Sequence, residues 1–256
     1  MAGMIIAVAM QKGGVAKTTT VANLGTNLAA RGKRVLVVDL DPQANLTRGL
    51  GVDGSALEYS SYEMLLHPEH GYAFATVRTA FGLDLVPAVL NLAAAEIGLA
   101  NTIARELRLR NALAKGKARQ EYDYIFIDTP PSLGLFTLNA LAAADAVLVP
   151  LQLQVYAYEA LGNLEATIEL IHQLNPDLVI GGIVCTMADR RTNLTRVVEE
   201  QVRATYGDLV FKATIPLNTK IAEAPSAGEP ISIYAPASPG AHAYAALAAE
   251  VEARYV

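Results

Sequence analysis

The sequence predicts a single α/β domain: a mostly parallel, twisted sheet flanked by helices. Three observations predict it. Short apolar runs recur along the 256 residues. Helical stretches fill most of the gaps between them. The first two runs and the helix joining them fit within about 40 residues, the size of a βαβ unit with a right-handed crossover. Met4–Met10 is continuously apolar, as a strand buried on both faces must be. Thr18–Arg31 follows as a helix, with Val21, Leu24 and Leu28 at helical spacing and Gly32 as its stop signal. Arg34–Leu40 is the second strand. Leu83–Pro87, Tyr124–Asp128, Ala146–Leu151, Leu178–Thr186 and Lys212–Ile215 continue the series. Helices are expected around Asn91–Lys117, Leu135–Ala144, Tyr156–Leu174, Asn193–Tyr206 and Ala241–Tyr255. No linker rich in Pro, Gly or Ser divides the chain, so residues 1–256 read as one domain.

Composition narrows the function classes. Hydrophobic residues at 52% and charged residues at 18% exclude a disordered chain. No apolar run reaches the roughly 18 residues that span a bilayer. The start, Met1-Ala2-Gly3-Met4, lacks a basic stretch and a cleavage signal, which points to the cytoplasm. The single cysteine, Cys185, excludes a disulfide framework and a multi-cysteine metal site within one chain. His67, His70, His172 and His242 are too widely spaced to form an obvious ligand set. A net charge of −5 argues against a generally basic nucleic-acid binder and leaves room for a local basic patch.

Ligands of open parallel sheets bind beyond the carboxyl ends of the strands. After the first strand comes Gln11-Lys12-Gly13-Gly14-Val15-Ala16-Lys17-Thr18-Thr19. Its glycines allow close backbone approach to a polyphosphate, and the following helix offers free N–H groups and a positive dipole end. Lys17 would reach the β- and γ-phosphates, and the Thr18 hydroxyl would bind Mg²⁺. The plainer alternative is a glycine turn with surface lysines. The strand before the loop, Lys-Thr-Thr at the helix start and acidic strand ends elsewhere favour the phosphate loop. The common pattern G-x-x-x-x-G-K-[ST] is not met, since Gln11 and Ala16 stand where its glycines belong. The deviant form K-G-G-x-x-K-[ST], opened by Lys12, is met.

Two further strand ends are acidic. Asp39 and Asp41, two residues apart on an extended segment, project to the same side, and Pro42 stops the strand. Alone, the segment reads as a solvated acidic turn. Ile125-Phe126-Ile127-Asp128 is an apolar strand closed by a carboxylate, suited to hold Mg²⁺ directly or through water beside a phosphate loop. A buried Asp128 demands a metal or a hydrogen-bonding partner.

The three segments, in this order and spacing, resemble the deviant Walker ATPases, and most closely the ParA/Soj chromosome- and plasmid-partitioning family. The similarity runs from about Met4 to about Tyr244, with no N-terminal helix-turn-helix extension. It implies a P-loop NTPase fold, slow ATP hydrolysis and a sandwich homodimer closed by Mg²⁺-ATP. By that resemblance Lys12 crosses to the partner's nucleotide, Asp41 positions or activates the attacking water, and Asp39 supports the metal shell. Ala16 is glycine in many members; its methyl is tolerable if the residue has helical φ, and nucleotide binding is expected to survive.

Thr214–Ser226 resembles the family segment I-P-R-N-x-R-x-x-E-A-P-S, which implies that Pro216 and Asn218 flank the adenine. The resemblance also implies non-specific binding of double-stranded DNA through Arg190, Arg191 and Lys220, and stimulation by a ParB-like centromere-binding protein on the nucleoid. Residues 189–220 hold six basic and four acidic side chains, the region we expect to favour phosphate contacts. Leu217, where arginine is frequent, weakens the patch. Tyr156, Tyr158 and Glu159 begin a helix that could lie at the dimer face.

Rival readings are a MinD-like membrane-positioning ATPase and a ParA-like ATPase that positions a protein cargo. The first needs a basic amphipathic tail. The tail at 241–256 carries Glu250, Glu252 and Arg254 and reads as a core-packing helix, so no membrane partner is expected. A nitrogenase-iron-protein-like role fails on Cys185, which reads as a buried small hydrophobe.

Overall fold

Apolar strands that alternate their side chains between two buried faces account for the architecture. The structure, a computed structural model, describes residues 2–154 and 157–255. In chain order the first half runs β1 (Met4–Val8), α1 (Lys17–Ala30), β2 (Val35–Asp39), α2 (Asn45–Gly49), α3 (Ser61–Leu66), β3 (Val77–Arg78) and β4 (Asp84–Val86). Then come α4 (Leu92–Leu99), α5 (Arg108–Lys115), α6 (Ala118–Glu121), β5 (Tyr124–Asp128), α7 (Leu135–Ala143) and β6 (Ala146–Gln152). The last part holds α8 (Ala157–Ile171), β7 (Val179–Ala188), α9 (Asn193–Tyr206), β8 (Val210–Pro216), α10 (Thr219–Glu223), α11 (Ile231–Tyr234) and α12 (Pro239–Arg254).

The eight strands form one sheet in the order β3-β4-β2-β5-β1-β6-β7-β8. Among the described residues, only the β3–β4 edge pair is antiparallel. Ile5, Ala7, Leu36, Val38, Ile125 and Ile127 face a core closed by helices that include α4, α5, α7 and α8. Their neighbours Ile6, Val8, Val35, Val37, Tyr124 and Phe126 face a second core closed by α1 and α12. This double burial explains why the strands read as unbroken apolar runs.

The predicted elements recur with shifts of a few residues at their ends. Gly32, at φ 85, stops α1 as its position predicts. Two differences matter. The helix expected over Asn91–Lys117 is two helices: α4 stops at Leu99, and the chain turns through a left-handed Ala104, at φ 55, before α5 begins at Arg108. The break lets the buried Asn139 bridge the chain, accepting from Leu109 N at 3.0 Å and donating to Arg105 O at 2.9 Å. The two-residue β3 carries too short an apolar pattern to be read. Tyr156, expected to open α8, lies outside the described residues. No helix among the described residues is long and apolar enough to cross a membrane.

Candidate functional site

Three parallel strands assemble the site. Val8 at the end of β1 and Asp39 at the end of β2 both pair in register with Asp128 at the end of β5. The strand ends therefore deliver the loop 9–16 and both aspartates to one edge of the sheet.

The loop is held from below. Thr186 donates its hydroxyl to Val15 O at 3.1 Å, and Thr129 donates to Val8 O at 2.8 Å. Gln11 Nε2 donates to Thr167 Oγ1 at 2.7 Å and Asn163 O at 3.2 Å, tying the loop to α8. The Val15 side chain packs into the core rather than toward the loop's open side. Gly14 has φ 74, and a Cβ there would meet nothing within 4 Å, so backbone conformation and not space demands glycine. Ala16 does not meet the condition of helical φ: it sits at φ 71, ψ 31, in the left-handed region. For an L-residue with a Cβ this costs roughly 1–2 kcal/mol. Helix α1 begins at Lys17 with no side-chain cap and no acidic residue in its first turn, so its leading N–H groups are available to an anion.

The two lysines of the loop divide. Lys17 is 7% exposed, and its Nζ donates to Met10 O at 3.2 Å and Lys12 O at 3.0 Å. Burial pulls its pKa down, against the opposing pull of Asp128 and Asp41. Lys12 instead donates to Gln154 Oε1 at 2.6 Å.

A cavity of about 930 Å³ opens over the loop. Gly13, Gly14, Ala16, Lys17, Thr18 and Thr19 form its loop side, and Asp41, Gln43, Asn45 and Arg48 a second wall. Pro131, Met187, Ile221 and the stretch 224–230 complete it. Lys12, Pro216 and Asn218 are not on this wall. Asn218 caps α10, accepting from Lys220 N at 2.8 Å.

The carboxylates differ. Asp39 is fully buried and accepts three bonds: from Asp41 N at 3.1 Å, Thr47 N at 2.9 Å and Thr47 Oγ1 at 2.8 Å. Burial still raises its pKa, to about 6, against those bonds. Asp128 is equally buried, and neither of its oxygens has a hydrogen-bond partner. Burial and then the charge of Asp39 push its pKa well up, while the nearby Thr18 hydroxyl and Lys17 oppose them. An orphaned buried carboxylate beside a hydroxyl and an ammonium fits a hard divalent cation completed by phosphate oxygens and water. No cluster of three His, Cys, Asp or Glu suited to a metal occurs among the described residues. Asp41 is 8% exposed, and its Oδ1 accepts from Gln43 N at 2.9 Å, which fixes the carboxylate at the cavity.

Of the expected DNA contacts, Arg190 and Arg191 lie on the loop after β7, and Lys220 lies on α10, which follows β8. Arg190 makes no ion pair among the described residues. Arg191 is held by Asp189 through two bonds of 2.8 Å. Lys220 pairs with Glu223 at 2.7 Å and lies 5.7 Å from the Tyr234 ring centroid. Tyr158 is half-buried with its hydroxyl 3.5 Å from Thr205 Oγ1.

Sequence reading missed several parts. Thr47, which clamps Asp39, lies five residues after Pro42 and carries no sign of that role in its residue type. Arg48 and the 224–230 wall carry no polyphosphate signal of their own. Left-handed Ala44 and Met187, at φ 51 and 52, leave no mark in residue type.

Known proteins match this geometry. A family model described as an AAA domain matches residues 3–180. The sporulation initiation inhibitor protein Soj of Bacillus subtilis is 50% identical over 252 residues, covering 98% of this chain and 99% of that protein. The chromosome partitioning protein ParA of Caulobacter vibrioides is 47% identical over 252 residues, covering 98% and 94%. Among solved structures, cobyrinic acid a,c-diamide synthase from Mycobacterium smegmatis with bound ADP and magnesium aligns with a TM-score of 0.84 and 41% identity, covering 99% and 95%. With the deviant phosphate loop, the acidic strand ends and these full-length matches in agreement, the chain belongs to the ParA/Soj family of P-loop ATPases.

Proposed function

We propose that the chain is a DNA-partitioning ATPase working as a dimer switch: Mg²⁺-ATP closes two copies, the closed pair holds duplex DNA, and slow hydrolysis releases it. The observation that carries this reading is the separation of Lys12 from Lys17. Lys17 lines its own cavity, whereas the Lys12 ammonium is held outside it by Gln154. A cation left outside its own site is available to the phosphates of a second copy, a contact worth roughly 10³–10⁵ in rate when supplied in trans. The match to Soj and ParA, at 50% and 47%, favours partitioning over the synthase name at 41%.

Within one subunit, Lys17 and the free N–H groups of α1 bind the phosphates. Asp128 and the Thr18 hydroxyl would hold Mg²⁺, which when bound neutralises charge on the phosphate oxygens. Asp41 keeps one oxygen on Gln43 N and offers the other to orient a water or take its proton. Asp39 acts through Thr47, fixing the segment that carries Asp41. The wall at 224–230 is where the base would rest, since Pro216 and Asn218 lie outside the cavity lining.

Exposed Leu90, Ile97 and Leu133, at 75%, 82% and 40%, supply apolar area for a second copy near the phosphate edge. Arg190, Arg191 and Lys220 would contact phosphodiesters; each patch is modest, and two act together only in the closed pair. A ParB-like protein would stimulate hydrolysis on the nucleoid. A membrane-anchored role is disfavoured because α12 buries Tyr244, Leu247, Ala248 and Val251 completely, leaving no apolar face for lipid. The test is duplex binding across a salt series. Tight, salt-sensitive binding with Mg²⁺-ATP and weak binding with ADP is expected. Equal affinity in both states contradicts the switch.

A further inference from the structure

The edge of the sheet opposite the phosphate cavity carries a second cationic surface. Residues 105–119 contain six basic side chains and one acidic, in a chain of net charge −5. That excess is larger than the one between residues 189 and 220. Helix α5 turns Leu109, Ala112 and Leu113 into the core at 0%, 0% and 2% exposure. Arg110 and Lys115 are thereby sent outward. Arg110, Lys117 and Arg119 line a concavity of about 310 Å³ with Ile5, near the start of β1, among its walls. The phosphate loop lies beyond the other end of that strand.

The six cations fall into two sets. Arg108 donates to the carbonyls of Leu65 and Leu66, and Arg105 to Glu106 and Ala100 O. Arg119 forms a two-bond pair with Asp145 at 2.6 and 2.7 Å. These three hold the fold together. Arg110 gives a single bond to Leu174 O at 3.2 Å, and all three of Arg110, Lys115 and Lys117 are exposed. None of these three has a carboxylate within salt-bridge distance among the described residues. Uncompensated surface cations grouped this way raise the local potential for a polyanion.

We propose that Arg110, Lys115 and Lys117 form a second phosphodiester-binding surface that docks duplex DNA on the edge remote from ATP. The inference rests on the DNA-binding reading above and adds a second face to it. Arg190 and Lys220 follow the carboxyl ends of β7 and β8, so they belong to the nucleotide edge. One subunit then presents cations at both ends of its sheet and can touch two duplex segments. A lipid surface fits less well. An amphipathic helix binds a membrane through an exposed apolar face, and the apolar face of α5 is buried.

The experiment is fluorescence anisotropy on a random-sequence duplex with Mg²⁺-ATP across a salt series. It compares the wild type with an Arg110→Ala/Lys115→Ala/Lys117→Ala variant and an Arg190→Ala/Lys220→Ala variant. Each phosphate contact contributes about 0.9 to the slope of log affinity against log salt. The triple variant is expected to lose about 2–3 from that slope and at least about tenfold in affinity at low salt, with basal ATPase and melting temperature unchanged. An unchanged slope and affinity, with Arg190→Ala/Lys220→Ala abolishing binding, overturns the second surface and leaves the DNA reading standing. A wild type that binds no duplex in either nucleotide state overturns both. Binding of wild type to phosphatidylglycerol vesicles, lost in the triple variant while DNA binding is kept, overturns the assignment in favour of lipid.

Discussion

Asp39 and Asp128 face each other across paired strands, share complete burial, and end in opposite conditions. The first is enclosed by a backbone N–H and a hydroxyl of Thr47 and the N–H of Asp41. The second has no partner at either oxygen. Burial alone therefore does not tell a structural carboxylate from one awaiting a ligand; the count of donors does. Asp39 builds the wall, and Asp128 is left for something to enter.

The largest effect that can break this contrast is on turnover. Asp128→Asn is expected to lower Mg²⁺-dependent ATP hydrolysis by about 100-fold or more. Asp39→Asn should act more mildly, through the position of Asp41. Steady-state phosphate release measures both; equal losses erase the distinction. Stability should move the other way. Nucleotide-free Asp128→Asn should melt higher, by about 1 kcal/mol or more, because an uncompensated buried charge is removed. Asp39→Asn should melt lower, by about 1–3 kcal/mol, because its amide cannot accept all three bonds.

Acidity sharpens the same contrast. A carboxyl whose folded pKa lies above its unfolded value binds its proton more tightly when folded, so its contribution to stability is full below the unfolded value and lost as pH rises. For Asp39 that window runs from the ordinary 3.8 to about 6. Nucleotide-free protein should lose stability across it relative to an Asp39→Asn/Asp128→Asn variant. Chemical denaturation at stepped pH gives the difference, and a difference independent of pH contradicts the burial of both charges.

The smallest expected effect concerns Ala16. Its left-handed φ is a strained conformation for a residue that carries a Cβ. Ala16→Gly should raise stability by about 1 kcal/mol or less, the relief being partly offset by unfolded-state entropy. ATP affinity should stay within about twofold. A large gain in affinity would place the strain in the binding step.

Much of this was legible in the residues, for physical reasons. Strands buried on both faces leave continuous apolar runs, so β1, β2 and β5 could be read, and a parallel sheet sets their carboxyl ends toward one edge; their register comes only from the structure. The loop 11–19 is legible because only glycine, lysine and hydroxyl groups do its chemistry at that spacing. The conformation of Ala16 was not legible, since alanine carries no mark of a left-handed site. The left-handed turn at Ala104, between α4 and α5, escaped for the same reason. The matched segment Thr214–Ser226 reaches into the cavity wall at 224–230, but the packing of α2 against residues 224–227 is a long-range contact that no local pattern records. The sequence reading looked for phosphate contacts in residues 189–220 and passed over the more basic stretch 105–119; only the fold separates the exposed cations of that stretch from those engaged with carbonyls and Asp145.

The central claim is that two copies close around Mg²⁺-ATP, each lending Lys12 to the other. Light scattering on Asp41→Ala, which should bind ATP and fail to turn it over, tests it most directly. A pair closed by Lys12 requires twice the chain mass of 27.1 kDa with Mg²⁺-ATP, the single-chain mass with ADP, and the single-chain mass in both states once Lys12→Ala is added. A single-chain mass for Asp41→Ala in saturating Mg²⁺-ATP would contradict it.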